Sequence, residues 1–341
     1  MGERGEAQAI AVIGAGSWGT ALAIQFARSG RPTLLWGRAE DDPAAIEAAR
    51  ENVRYLPGAK FPPSLHAVAD LENVLEQSPV IVVAVPSHAF RAVLTRMKPL
   101  LKPGARLAWA TKGFELETGK LPHQVAGEVL GSDTAMAVLS GPTFAREVGM
   151  GLPTAMTIAS NDADYALQLA GNLSGESFRA YTSTDIVGVE VGGAVKNVLA
   201  IGAGICDGLG FGANTRVAMI TRGLVEMTRL GEALGAEPAT FMGLAGMGDL
   251  VLTCTDDQSR NRRMGLALAA GKTIKEAEQE IQQVVEGVLA ARAVHGVAAK
   301  AGVEMPICEQ IYRILYEGAE PQAAVVALMK RELKSEFAPG G

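Results

Sequence analysis

The chain has 341 residues, 48% hydrophobic and 20% charged, which is the composition of a globular protein long enough for two cores. A formal net charge of −6 argues against nucleic acid or an anionic membrane as the main partner, so an anionic ligand must be met by a local basic cluster. Cys206, Cys254 and Cys308 are far apart with no CxxC pair, and the four histidines lack metal-ligand spacing, so neither a disulfide framework nor a metal site is expected and a cytoplasmic location is.

Residues 1–9, MGERGEAQA, lack the basic flank and apolar run of a signal peptide. Elsewhere the apolar runs look too short, or too broken by Gly and charge, to span a bilayer. Residues 9–13 read as a buried strand, followed at once by Gly14, Gly16, Ser17, Trp18 and Gly19 and then a helix over 20–28. This is G-x-G-x-x-G between strand and helix, the context in which the pattern predicts dinucleotide binding. The first Gly makes the turn, the second lets a pyrophosphate reach the backbone, and the third lets helix and strand pack. The next strand, 33–36, ends in Gly37 and Arg38 where an NAD site usually offers an acid to the ribose. Arginine suits a 2′-phosphate instead, so NADP is favoured over NAD.

Three further apolar strands, 80–85, 106–110 and 135–139, each run into a small polar cluster. Such strands alternating with helices predict a parallel sheet covered on both faces, with ligands beyond its carboxyl ends. Lys112 is thereby placed to meet a ligand anion, whereas Ser140 and Thr143 read as loop hydrogen-bonders without a nucleophile's partners. Runs at 154–159 and 178–181 around a helix at 163–173 extend the sheet, and the first domain is expected to end at 184.

Beyond it, 185–341, helical periodicity takes over. A helix from 185 holds Lys196 and Asn197 among glycine and aliphatic residues. At helical spacing Lys196 meets Val189, Gly192, Gly193, Leu199, Ala200 and Ala203, none of them charged. A lysine so desolvated loses proton affinity and suits acid/base work near neutral pH; the alternative is an ammonium that snorkels to water. Further helices are expected at 216–234, 273–283, 286–300, from Pro306, and from Pro321 to 334, with a frayed FAPGG tail. Residues 244–250 read as a glycine-rich turn presenting Asp249, which would hold Lys196 electrostatically. Ser259, Arg260, Asn261, Arg262 and Arg263 then open a helix with basic groups at its N-terminus, which is out of keeping with the helix dipole unless an anion binds there. The fold class read from all this is α/β: an N-terminal Rossmann-like, doubly wound, mostly parallel sheet over 1–184 and an all-α substrate domain over 185–341.

The segments GAGSWGTALA, VPSH, ATKG, SGPTFA, GGAVKN, GFGAN, AGMGDLVLTCT, SRNRR and VVEG, in this order, resemble bacterial NAD(P)-dependent glycerol-3-phosphate dehydrogenases over nearly the whole chain. The resemblance implies reversible reduction of dihydroxyacetone phosphate to sn-glycerol 3-phosphate, feeding glycerophospholipid synthesis. It implies Lys196 as the acid/base, and Lys112, Gly141, Thr143, Asn197, Asp249, Ser259, Arg260 and Asn261 as substrate-binding positions. Cofactor positions are Gly14, Gly16, Ser17, Trp18, Gly19, Arg38, Lys112, Ala145, Arg260, Val284 and Glu286. Gly37 stands where relatives carry a polar residue, which bears on the choice between NADP and NAD. A reductase of the ketopantoate or β-hydroxyacid type is the alternative enzyme, against which the SRNRR cluster favours a phosphorylated substrate. A dinucleotide-sensing regulator is the non-enzyme alternative. The apolar helical surface is compatible with a homodimer.

Overall fold

The computed structural model describes residues 9–131 and 134–331. Among these, the strands are β1 (Ile10–Ile13), β2 (Thr33–Trp36), β3 (Leu65–Val68), β4 (Val80–Val83), β5 (Arg106–Trp109), β6 (Met136–Ser140), β7 (Thr154–Ser160) and β8 (Phe178–Ser183). Between them lie α1 (Ser17–Arg28), α2 (Pro43–Ala49), α3 (Leu71–Gln77), α4 (Ser87–Met97), α5 (Pro122–Leu130), α6 (Ala145–Met150) and α7 (Ala163–Leu173). The remaining helices are α8 (Ile186–Gly208), α9 (Ala213–Ala233), α10 (Pro238–Phe241), α11 (Asp249–Thr255), α12 (Arg260–Ala269), α13 (Ile274–Ile281), α14 (Glu286–Ala301), α15 (Pro306–Tyr316) and α16 (Pro321–Met329).

The sheet order is β3-β2-β1-β4-β5-β6-β7-β8. Every neighbouring pair is parallel except β6 with β7, which is antiparallel. β1 and β4 are buried at every position because helices cover both faces, so apolar side chains are needed on both sides of each strand. One face packs Leu22, Phe26, Tyr165 and Leu169 from α1 and α7. The other packs Leu71, Phe90, Leu94 and Val125 from α3, α4 and α5, and there the first turn of α8 joins through Ile186 and Val189. The strand order reverses between β1 and β4, which opens a crevice at their carboxyl ends.

Two elements differ from the reading of the sequence. β3 was not expected: it is a four-residue edge strand in which Leu65 alone is fully buried and His66 is exposed, so no apolar run marks it. Asp249 does not sit in a turn but begins α11, after a wide turn at Leu244–Gly248 whose backbone presses on α8 at Gly192. The last helix is described as far as Met329; the remainder of its expected span beyond 331, and the tail, lie outside the described residues.

α8 is the axis of the helical half. Asp185 caps it, accepting from the Gly188 amide at 2.8 Å, and from Gly188 to Cys206 it is buried without a break. By length and composition α8 could cross a membrane, where the sequence reads as apolar runs too short or too broken by Gly and charge; 89% of its apolar window is enclosed by protein. α9, α11, α12, α14 and α15 surround it in one hydrophobic cluster that also takes in Phe114 and Leu121 from the first half.

Candidate active site

The glycine loop after β1 has the form a dinucleotide requires. Gly14 is left-handed at φ 119°, and a Cβ there would come 2.6 Å from the Ala84 carbonyl oxygen. At Gly19 a Cβ would lie 1.9 Å from the Gly14 oxygen. Gly16 is different: its backbone is extended and a Cβ would meet nothing within 4 Å. Nothing inside the protein therefore demands glycine at 16, and the open space over it fits close approach by a ligand. α1 begins at Ser17 with no side-chain cap and no acid in its first turn, and the Trp18 indole Nε1 is buried without a partner. These unmatched donors at a helix N-terminus fit a pyrophosphate. Asn52, which no sequence motif singles out, braces the loop by donating to the Ala15 carbonyl at 2.8 Å and the Thr20 hydroxyl at 2.9 Å.

Arg38, at the end of β2, donates to Asp41 at 3.2 Å through Nε, and that contact holds the guanidinium pKa above its ordinary value. Asp41 thus already partners the arginine from which NADP preference was read. Gly37 is crowded, since a Cβ there would come 3.0 Å from the Ala15 methyl.

Three chemical groups converge where β5 and β6 end against α8. Lys196 is 7% exposed, and its Nζ donates to Asp249 Oδ1 at 2.5 Å and to the Thr253 hydroxyl at 3.1 Å. Lys112, just past β5, donates from Nζ to the other oxygen of the same carboxylate at 2.7 Å. Asp249 is therefore clamped between two ammonium groups and is 1% exposed. Burial pulls the Lys196 pKa down to about 8; Asp249 opposes this and Lys112 reinforces it. Burial pushes the Asp249 carboxyl up, but the two lysines override it and hold it below the usual carboxylate range. Thr253 is an addition to the expected set: its hydroxyl donates to the Asp249 carbonyl oxygen at 2.6 Å and stands under Lys196. It lies one helical turn after Asp249, a relation visible only once 249–255 is known to be a helix.

The loop after β6 closes one side of this cluster. Gly141 has φ 155°, and a Cβ there would lie 2.9 Å from Met156 Cα. Thr143 donates to the Gly141 carbonyl at 3.2 Å, and Ala145 begins α6. The Ser140 hydroxyl is buried without a partner, beside the Lys112 stem and Gly193.

The start of α12 sorts its basic residues into different tasks. Ser259 is the cap, its hydroxyl accepting from the Arg262 amide at 3.2 Å. Arg262 is bound to Asp207 at 2.7 Å and also to Asp257, so its charge is already matched. Among the described residues Arg260 and Arg263 have no carboxylate partner, and the Nε of Arg263 is buried unmatched. Asn261 faces inward: it donates to Asn197 Oδ1 at 2.9 Å and accepts from the Gly287 amide at 2.9 Å. Asn197 in turn donates to the Gly193 carbonyl at 3.3 Å. One relay of amides thus runs from α8 through α12 to the start of α14, where Glu286 stands, with Val284 exposed just before it.

Comparison with known proteins agrees with this geometry. Residues 9–166 match the model of the NAD-dependent glycerol-3-phosphate dehydrogenase N-terminus, and residues 185–326 that of its C-terminus. The chain is 57% identical over 329 residues to a glycerol-3-phosphate dehydrogenase [NAD(P)+] of Aeromonas hydrophila, covering 96% of this chain and 98% of the other. The enzyme of that name from Nitrosococcus oceani is 56% identical over 327 residues, covering 96% and 95%. A crystal structure of glycerol-3-phosphate dehydrogenase from Coxiella burnetii superimposes with a TM-score of 0.92 at 49% identity, covering 95% of this chain and 99% of that one. With both halves matched in order, with a glycine loop after β1 and a two-lysine, one-carboxylate cluster beyond β5, the chain belongs to the NAD-dependent glycerol-3-phosphate dehydrogenase family.

Proposed function

We propose that this protein reversibly reduces dihydroxyacetone phosphate to sn-glycerol 3-phosphate, with Lys196 as the acid/base. The observation that carries the assignment is the Lys196–Asp249–Lys112 cluster at the carboxyl end of β5. An ammonium has three N–H donors, and Lys196 gives two of them to Asp249 and Thr253. The third is left for a substrate carbonyl oxygen. When bound, the reduced nicotinamide supplies a hydride to the carbonyl carbon. Negative charge then develops on the oxygen, Lys196 stabilises it and hands over a proton, and the C=O becomes CH–OH. In the reverse direction neutral Lys196 removes the hydroxyl proton as hydride leaves.

Lys112 and Asp249 fix Lys196 and border the substrate; Gly141, Thr143, Asn197 and Ser259 complete the walls. Arg260, without a carboxylate of its own, takes the substrate phosphate, with the free N–H of Asn261 beside it. The amides of Ser17, Trp18 and Gly19 receive the pyrophosphate, and Lys112, Ala145, Arg260, Val284 and Glu286 line the rest of the dinucleotide path. Arg38 meets a 2′-phosphate in competition with Asp41, so NADPH is preferred and NADH remains usable. The proposal also divides the chain at 184/185, the junction between the last strand and α8. It further places the protein in the cytoplasm, supplying glycerophospholipid synthesis. Exposed apolar side chains such as Val217, Met242, Val326 and Met329 support a homodimer.

The test is oxidation of NADPH and NADH followed by absorbance with dihydroxyacetone phosphate and, separately, ketopantoate. Turnover is expected with the phosphorylated substrate, and Lys196→Met should lower kcat by about a hundred- to ten-thousand-fold while the protein stays folded. Normal turnover by folded Lys196→Met, or preference for ketopantoate, would overturn the assignment.

A further inference from the structure

Glu190 is a buried carboxylate with no place in the chemistry above. It lies on α8, 3% exposed, where an unmatched charge would be strongly unfavourable. It is not unmatched. Its Oε1 accepts from the Trp109 indole Nε1 at 2.9 Å and from the His123 backbone amide at 2.9 Å, and its Oε2 meets His123 Nδ1 at 2.5 Å. Trp109 is the last residue of β5 and His123 is in the first turn of α5. Three bonds from one side chain thus tie α8 to the end of the strand that delivers Lys112 and to the helix after it.

What makes this more than a core contact is its position along α8. Glu190, Gly193 and Lys196 follow at steps of three, a row in which each residue neighbours the next while the row winds about 120° around the helix. Gly193 is where the Lys112 stem lies against α8: a Cβ there would be 3.4 Å from Lys112 Cγ. Lys196 then stands about 9 Å beyond Glu190 along the axis, at 1.5 Å per residue. Both arms that clamp Asp249 therefore start from the Glu190 anchor, one through Trp109 and Lys112, the other through α8 itself. At the Glu190 end the surface of α8 is glycine and aliphatic, whereas its close backbone contact with α12 lies farther along, at Gly204. A hydrogen-bonded polar group fixes register where packing does not.

We propose that Glu190 is a positioning residue for the reduction, setting the approach of Lys112 to Lys196 by locking α8 to the end of β5. This rests on the assignment of Lys196 as acid/base, and the same assay separates the two. Wild type must reduce dihydroxyacetone phosphate and Lys196→Met must not; if either fails, the assigned reaction fails before Glu190 is in question. With that established, folded Glu190→Leu should lose about ten- to a hundredfold in kcat from misplaced lysines. Glu190→Gln should restore kcat to within about threefold, since its oxygen can accept from Trp109 and the His123 amide while its NH₂ donates to neutral His123 Nδ1. Trp109→Phe deletes a single donor, keeps an aromatic ring against Phe90, and should lose about two- to fivefold in kcat; it serves if Glu190→Leu does not fold. Full kcat in folded Glu190→Leu or in Trp109→Phe would overturn the proposal. So would a Glu190→Gln enzyme as slow as Glu190→Leu, which would make the charge and not the register the working feature.

Discussion

As the proposed acid/base, Lys196 would carry a proton in one direction of the reaction and lack it in the other, and its surroundings set where that change falls. Burial is the largest influence and lowers its pKa, Asp249 partly restores it, Lys112 lowers it again, and the result is about 8. The sign follows directly. Reduction uses the protonated amine, so kcat/KM for dihydroxyacetone phosphate should be flat below about 8 and fall as pH rises through it; oxidation of glycerol 3-phosphate uses the neutral amine and should rise through the same pH to a plateau. Asp249→Asn removes the group that favours the charged form and leaves Lys112 beside Lys196, so the limb should move to lower pH. A limb that stays put in Asp249→Asn, or one near the ordinary lysine value of about 10.4 in wild type, would mean that another group titrates. The lysine itself was legible in the sequence because all its helical neighbours are uncharged. Thr253 and the full environment of Asp249 were not, since that carboxylate takes one lysine from the strand side and one from α8, and only the tertiary fold puts them together. The arginines show the same limit: the run at 260–263 reads as one basic patch, yet Asp207 and Asp257 claim Arg262.

At the scale of elements, the site depends on how closely α12 approaches α8. A Cβ on Gly204 would lie 2.0 Å from the Arg262 carbonyl oxygen, and one on Gly265 would lie 2.0 Å from that of Ile201. The two helices therefore touch backbone to backbone, which brings Ser259, Arg260 and Asn261 to the level of Asn197. Alanine at either glycine must force the helices apart, at about 1–3 kcal/mol or more for an overpacked core. Gly296, within α14, has open space where its Cβ would be, so alanine there should stabilise by up to about 1 kcal/mol through helix propensity. Denaturant midpoints for Gly204→Ala, Gly265→Ala and Gly296→Ala measure the contrast, and equal midpoints for all three would show that the close crossing does not limit stability. Element type was legible wherever the pattern was long and pure, as in α8, α9 and the central strands. It was not for β3, whose edge position relaxes the apolar requirement, nor for α11, where the glycines of 243–248 hid the start of a helix behind a wide turn.

For the whole molecule, the question is whether a sheet half and a helical half behave as one unit. The chain changes character at 184, but the packing does not respect that boundary. Ile186 and Val189 of α8, with Ala245 before α11, belong to the same buried cluster as Trp109 of β5, Phe90 of α4 and Val125 of α5. In the other direction Phe114 and Leu121, from the loop after β5, lie in the cluster built around α8. Glu190 adds a polar tie at the same junction, with bonds to Trp109 and His123. Removing the helical half would expose apolar surface on the sheet as well as on itself, and each aliphatic side chain so exposed costs about 1.5–3 kcal/mol. Independent unfolding of either half is thus disfavoured, and a single cooperative transition is expected although many chains of this length unfold domain by domain. The three tryptophans make the test direct. Trp18, Trp36 and Trp109 all belong to the first half, whereas helical circular dichroism draws heavily on α8 to α16. In urea without ligand the two signals should trace one coincident transition. If ellipticity were lost at lower urea than tryptophan fluorescence, the helical half would be melting from an intact sheet, and the shared clusters at α8 would not couple them.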